Sequence, residues 1–178
     1  MARRPLVAFF SRDGENFVGD SCLNLSLGIT RVLAKRIALR VNGRLFSIEP
    51  AVPYPAGYRE CLGQARRELE DQARPKLAAS SIRLSSYRTV FLGWPNWWNT
   101  MPMPVFTFLE SFDTAGKRIA PFCTHEGTGF ADSLKHLRIL CPKAEILPGL
   151  AVAGTEVDAP ETARAIGAWL AEAFGNEY

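Results

Sequence analysis

Three stretches of this sequence hold side chains that can do chemistry. The first is "SRDGENFVGDSCLNLSLGIT", residues 11–30, which opens on Ser11, Arg12 and Gly14 and closes on Gly28 and Thr30. Hydroxyls, close backbone N–H groups and the start of a helix together suit a phosphate, and Arg12 adds charge if the loop folds back. A plain turn with a hydroxyl cap is the alternative. The pattern is neither G-x-x-x-x-G-K-[ST] nor G-x-G-x-x-G, which disfavours a nucleoside triphosphate or a dinucleotide. Asp13, Glu15 and Asp20 oppose a bound phosphate unless they face solvent.

The second stretch is "GWPNWWNTMPMP", residues 93–104, with three tryptophans and three prolines. Proline removes a ladder donor from a strand and is tolerated in a helix only at the first turn, so this is a loop. Trp94, Trp97 and Trp98 suit stacking on a flat aromatic ligand or, equally, an exposed patch through which a homodimer forms. The third stretch is Thr124-His125-Glu126-Gly127-Thr128-Gly129. Its glycines let backbone N–H groups approach a ligand closely. His125 can donate to a carbonyl or an anionic ring nitrogen and is the candidate catalytic residue; a merely solvated loop histidine is the alternative.

The elements that must position these loops alternate along the chain. "PLVAFF", residues 5–10, is a continuous apolar run, as a strand buried on both faces requires. Ile29, Val32, Leu33 and Ile37 share one face of a helix over 27–40. A strand over 44–48 follows, then a helix over 57–73 with Tyr58, Cys61, Leu62, Ala65 and Leu69 on one face. "TVFLGW", 89–94, runs straight into the tryptophan loop, and a proline-started helix covers 102–110. A fourth strand spans 117–124, and the face Phe130, Leu134, Leu137 and Cys141 marks a helix. A fifth strand, 144–152, is broken at Pro148–Gly149, and a helix over 161–174 closes the chain. Five β-α repeats predict a parallel sheet with helices on both faces. Ligands of such sheets bind beyond the carboxyl ends of the strands, where all three stretches fall.

A phosphate cradle, an aromatic platform and a polar N–H edge meeting in one crevice match the phosphate, tricyclic ring and pyrimidine edge of flavin mononucleotide (FMN). The segments "LVAFFSRDGENF", "LGITRVLAKRI", "FLGWPNWWNTMPMPVFTFLESFD", "GKRIAPFCTHEGTGF" and "LCPKAEILPGLAV" resemble the flavodoxin-like FMN proteins of bacteria, in the subgroup with a long insertion after the first serine. The resemblance implies a three-layer αβα flavodoxin-like fold, with a five-stranded parallel sheet in the order 2-1-3-4-5 and residues 1–178 as a single domain. It also implies noncovalent FMN. Ser11, Arg12 and Thr30 would hold the phosphate, and Pro95, Asn96, Trp97 and Trp98 would line the ring. Thr124, His125, Glu126, Gly127 and Gly129 would stand at its other side. Two positions depart from the family pattern: Ile29 replaces the asparagine of Gly-Asn-Thr, and Asn99 replaces the glycine after PNWW. Asparagine tolerates a left-handed backbone, which would preserve the loop.

The length of 178 residues, with 47% hydrophobic and 22% charged residues, is ordinary for a globular domain. No run of about eighteen apolar residues is present, so no membrane span is expected. "PLVAFF" is too short for a signal-peptide core, and the expected location is cytoplasmic. Cys22, Cys61, Cys123 and Cys141 lack metal-ligand spacing, which argues against a metal site and reads as buried thiols in a reducing compartment. The net charge of +3 gives no sign of nucleic-acid binding. Dedicated flavodoxin shuttles are, by the resemblance, acidic, whereas Arg3, Arg4, Arg31, Lys35, Arg36 and Arg40 crowd the first quarter here. The expectation is therefore an FMN oxidoreductase that reduces small flat acceptors such as quinones, of NAD(P)H/quinone type. The alternatives are a one-electron carrier and a binding protein of this fold that has lost FMN.

Overall fold

The computed structural model describes residues 4–79 and 82–178, so Arg3 lies outside the described residues. Strand β1 (Leu6–Phe9) is buried along its whole length. It pairs in parallel with β4 (Arg44–Ser47) on one side and β5 (Thr89–Pro95) on the other, with Val7 opposite both Leu45 and Phe91. Strand β6 (Arg118–His125) lies beyond β5. The fifth position is filled twice. Strand β7 (Glu145–Ile146) pairs with the start of β6, and β8 (Leu150–Ala153) pairs with its end. Between them sit Pro148, which has no donor to give, and Gly149, where a Cβ would come within 2.7 Å of the Phe130 ring. The order is therefore β4-β1-β5-β6 and then β7 and β8, which is 2-1-3-4-5 when the strands of this sheet alone are counted, with the fifth interrupted where the sequence breaks it.

Alternation along the strands feeds two cores. Val7, Phe9, Phe91 and Phe122 pack on α1 (Ile29–Arg40) and α5 (Pro160–Phe174) through Leu33, Ile37, Trp169 and Leu170. Leu6, Ala8, Phe10, Leu92 and Trp94 face the other way, towards α3 (Met103–Glu110) and α4 (Ser133–Leu140), through Val105, Phe108 and Leu137. Helix α2 (Tyr58–Glu70) joins this second layer through Leu69. The result is three layers, αβα. Among the described residues, no helix is long and apolar enough to cross a membrane.

The insertion after β1 is not an open loop. Residues Gly14–Val18 (β2) and Ser21–Leu25 (β3) form an antiparallel ribbon closed by the two-residue turn Gly19-Asp20. Gly19 takes φ +61°, which the first position of a Gly-X hairpin turn demands. "FVGDSC" carries this signal in plain view, because Gly-Asp between two short runs is a hairpin pattern. The ribbon stands apart from the main sheet, so the rhythm of β-α units hides it.

Close approach fixes one glycine of the sheet. A Cβ at Gly93 of β5 would lie 2.1 Å from the ring of Phe122, which is itself fully buried. Substitution Gly93→Ala is therefore expected to cost roughly 1 to 3 kcal/mol as overpacking. Urea unfolding of the variant should show this loss, and a second change, Phe122→Leu, should recover part of it.

Candidate functional site

Strands β1, β5 and β6 are neighbours, so their carboxyl ends deliver Ser11, the tryptophan loop and Thr124-His125-Glu126 to one place. A cleft of about 260 Å³ opens there. Of the residues singled out from sequence, Ser11, Arg12, Thr30, Pro95, Asn96, Trp97, Trp98, Thr124, His125 and Glu126 line it. Gly127 and Gly129 do not. Both have positive φ, at +109° and +57°, and a Cβ on either would meet nothing within 4 Å. The protein around them leaves room for a side chain, so the requirement the structure shows for glycine is the positive-φ backbone that shapes the loop.

The base of the cleft is the amino end of α1. Gly28 is its cap, and no acidic residue occupies the first turn. The N–H groups of Ile29 and Thr30 have no acceptor within the helix. A Cβ on Gly28 would fall 2.3 Å from Ser11 Oγ and 2.4 Å from the Arg12 carbonyl oxygen, so the cradle closes only around glycine. Ser11 Oγ accepts from the Arg31 N–H at 3.1 Å. Thr30 and Thr124, both buried, join hydroxyl to hydroxyl at 2.7 Å. One hydroxyl donates to the other, and the second O–H is left as a donor. Asp13, Glu15 and Asp20 are exposed residues, but the Asp13 carboxylate turns back to the helix start and takes one of its N–H donors. Asp13 accepts from the Gly28 N–H at 2.8 Å.

Arg12 does other work than the sequence reading gave it. Its guanidinium donates to the backbone carbonyls of Glu15, Pro55 and Ala56 through four hydrogen bonds. The charge expected at a phosphate is spent on pinning the ribbon to the segment before α2. Three further bonds complete the anchorage. Glu15 N–H donates to the Ala56 carbonyl at 3.0 Å, Tyr58 N–H donates to the Glu15 carboxylate at 3.0 Å, and Gly19 N–H at the ribbon tip donates to Glu126 Oε2 at 2.8 Å. Glu126 thereby holds the ribbon across the cleft from β6.

The three indoles have three fates. Trp94 is fully buried in the core against Phe130, so it is not a ligand platform. Trp97 is half-buried and held edge-on by Phe10 and Tyr54, at centroid distances of 5.3 and 5.2 Å. Burial and the adjacent Glu68 push the Tyr54 phenol well above its ordinary range, so it stays neutral. Trp98 is exposed, donates its indole N–H to the Leu62 carbonyl at 3.2 Å and lies beneath the Arg66 guanidinium. Trp98 and Asn99 both have left-handed backbones, at φ +51° and +63°, and asparagine at 99 meets that demand.

The polar edge comes from β6 and its loop. Gly127 N–H donates to His125 Nδ1 at 2.9 Å, so the neutral ring carries its proton on Nε2. Asn96 turns its NH2 to Thr128 Oγ1 and the Gly129 carbonyl, both at 2.8 Å, and its Oδ1 is buried without a donor. A buried orphan acceptor in a cleft wall fits an N–H-bearing ligand. Together with the anion-ready helix end and the half-buried Trp97, it makes the residues present fit FMN.

Sequence reading missed the other wall. Asn16 and Phe17 of the ribbon, and Tyr58, Cys61, Leu62 and Ala65 of α2, line the cleft too. The apolar stripe of α2 was visible at helical spacing, but which layer it faced was not. Cys61 is buried, and desolvation pushes its thiol up to about 11, which leaves it unreactive at neutral pH. Cys123 is pushed up to about 12 by the same cause. Cys22 departs from the expectation of buried thiols, because it sits exposed on β3.

A three-layer αβα chain with a polar and aromatic cleft at the switch point of its sheet is a nucleotide-cofactor type of architecture. Residues 22–171 match the Flavodoxin family, and the chain belongs to that family. Among solved structures it is similar to a candidate flavoprotein from Bacteroides eggerthii, with 27% identity over 94% of this chain and 95% of that one and a TM-score of 0.75. A candidate flavoprotein from Bacteroides uniformis is similar at 28% identity, 92% and 97% coverage and a TM-score of 0.74. A flavoprotein from Lactobacillus acidophilus, solved in complex with FMN, shares the fold at 19% identity, 88% and 97% coverage and a TM-score of 0.67. A search of curated proteins found no match.

The Arg12 clamp generates a test. Arg12→Gln removes charge-assisted hydrogen bonds, so amides of residues 15–25 should exchange at least about tenfold faster, with β5 amides unchanged. Hydrogen exchange with mass spectrometry reads both.

Proposed function

We propose that this chain binds FMN noncovalently in the cleft and is an oxidoreductase that reduces small flat acceptors of the quinone type. One observation carries the reading: three adjacent strand ends surround a single cleft with an anion-ready helix terminus, a fixed indole and unpaired hydrogen-bonding groups. Bound FMN supplies the redox chemistry. The rest falls to the protein. Ser11, Thr30 and the first-turn N–H groups of α1 hold the phosphate. Trp97, kept edge-on to Phe10 and Tyr54, lines the ring with Pro95 and Trp98. Asn96 Oδ1 accepts from the ring's N–H edge, and His125 donates from Nε2 where negative charge accumulates on reduction. Thr124 supports Thr30, and Glu126 fixes the ribbon.

FMN added to the apo-protein should lose fluorescence strongly, because stacked indoles quench it; an unchanged signal at micromolar protein overturns the reading. Ser11→Ala and Thr30→Ala should each weaken FMN by roughly 1 to 2 kcal/mol, the loss of a hydrogen bond to a charged group. Riboflavin, which lacks the phosphate, should bind wild type and both variants alike. An equal fall for riboflavin places the phosphate elsewhere.

The oxidoreductase half has its own measurement. The loaded protein should oxidise NADH or NADPH when a quinone is supplied. Reduction of a one-electron protein acceptor without quinone turnover would point to a carrier instead.

A further inference from the structure

Resting on the quinone-reductase reading, we propose that Phe17 and Tyr58 form the acceptor subsite at the mouth of the cleft, where a neutral, flat, carbonyl-bearing ring stacks on Phe17 and accepts a hydrogen bond from the Tyr58 hydroxyl. Eight large hydrophobic residues are exposed among the described residues, and three of them, Phe17, Leu62 and Trp98, line this one cleft. Being both lining and exposed, they form its open side. Phe17 is stacked with Tyr58 at a centroid distance of 6.0 Å and an interplanar angle of 30°. Leaving such rings to water costs free energy that a flat ligand recovers by covering them.

The wall is fixed before any ligand arrives. The Arg12 clamp, the Glu15 bonds and the Gly19–Glu126 bond hold the ribbon at its root and at its tip. Phe17, at 43% exposure, is therefore held in the cleft wall by its strand and is not free to withdraw. Tyr58 is anchored through its backbone N–H, and its hydroxyl makes no hydrogen bond among the described residues. Desolvation raises its pKa, so the hydroxyl keeps its proton.

Charge selects the ligand class. Arg12 is the one lysine or arginine that lines the cleft, and it is held on backbone carbonyls, while Arg66 nearby pairs with Glu70 at 2.8 Å and lies over Trp98. The lining itself therefore offers an anion no uncommitted lysine or arginine. A quinone carbonyl needs only the phenol.

The test is equilibrium binding to the oxidised, FMN-loaded protein, with menadione as probe and 2-methylnaphthalene as its carbonyl-free counterpart. Tyr58→Phe should weaken menadione about fivefold and leave 2-methylnaphthalene unchanged, the signature of one lost hydrogen bond. Phe17→Ala should weaken both probes by about tenfold. Neither variant should shift the FMN dissociation constant by more than about twofold, well within the loss of one hydrogen bond. Unchanged menadione affinity in either variant, with FMN bound, overturns the subsite alone. A fall in FMN affinity as large as the fall for menadione assigns the pair to the cofactor and also overturns it. Failure of the wild type to load FMN removes the underlying reading as well.

Discussion

Strands β1, β5 and β6 have no free face. Helices cover both sides of the sheet, so every residue of Leu6–Phe9 is committed to one core or the other and most of β5 and β6 is buried. The faces of these strands are closed to a ligand, and the polar cleft lies past their carboxyl ends. The cleft is therefore a consequence of burial, and its content is whatever the chain places in the first residues after each strand. That constraint explains why the informative residues come in three short stretches, widely separated in sequence. It also explains why the sheet can end in polar groups there: Asn96 N–H donates to the Thr124 carbonyl at 2.8 Å, so β5 and β6 stay paired right up to the cleft wall.

The tryptophan loop shows how one stretch serves several demands. Alternation within β5 sends Trp94 into the second core, as it sends Leu92 before it. The chain then leaves the sheet and closes a tight turn in which Trp97 and Thr100 exchange both backbone hydrogen bonds at 3.0 Å. The left-handed residues 98 and 99 at the turn's centre carry a cost for an indole-bearing residue. That cost is offset where Trp98 covers α2 and donates to Leu62. The turn ties β5 to the start of α3, and Asn99 ties it to the next loop by accepting at its carbonyl from Asp132 N–H at 2.9 Å.

Much of this was legible because it depends on short-range pattern. Continuous apolar runs gave the buried strands, and Pro148–Gly149 gave the break in the fifth. The Gly28–Thr30 start of α1 and the loop positions of Pro95, Trp97 and His125 followed from the same β-α rhythm. What stayed hidden depends on pairings distant in sequence. No local rule shows that Arg12 reaches carbonyls at 55 and 56, or that Glu126 meets the N–H of Gly19. Nor does period alone say which layer receives Tyr58 and Leu62. Gly127 and Gly129 are instructive in another way, because composition reveals a glycine's permissiveness but not whether a ligand or a turn requires it.

Net charge is the weakest guide of all. The cations of the first quarter that the structure describes are largely occupied by the protein itself. Arg12 grips carbonyls, Arg31 reaches towards Glu49 and lies over Phe9, and Arg36 donates to the carbonyls of Val157 and Ala159. Lys35 and Arg40 remain exposed on α1 and do not line the cleft. The excess of +3 therefore does not make a basic cleft. Positive potential at its base comes instead from the aligned peptides and the free N–H groups of Ile29 and Thr30 in α1, offset in part by the Asp13 carboxylate on the Gly28 N–H. An anion is met there by fixed dipoles that need no reorganisation, and the ribbon and α2 side of the same cleft offers the aromatic surface of Phe17 and Tyr58. The two parts thus favour different chemical groups, and a molecule with a phosphate at one end and a flat ring at the other has only one orientation that satisfies both.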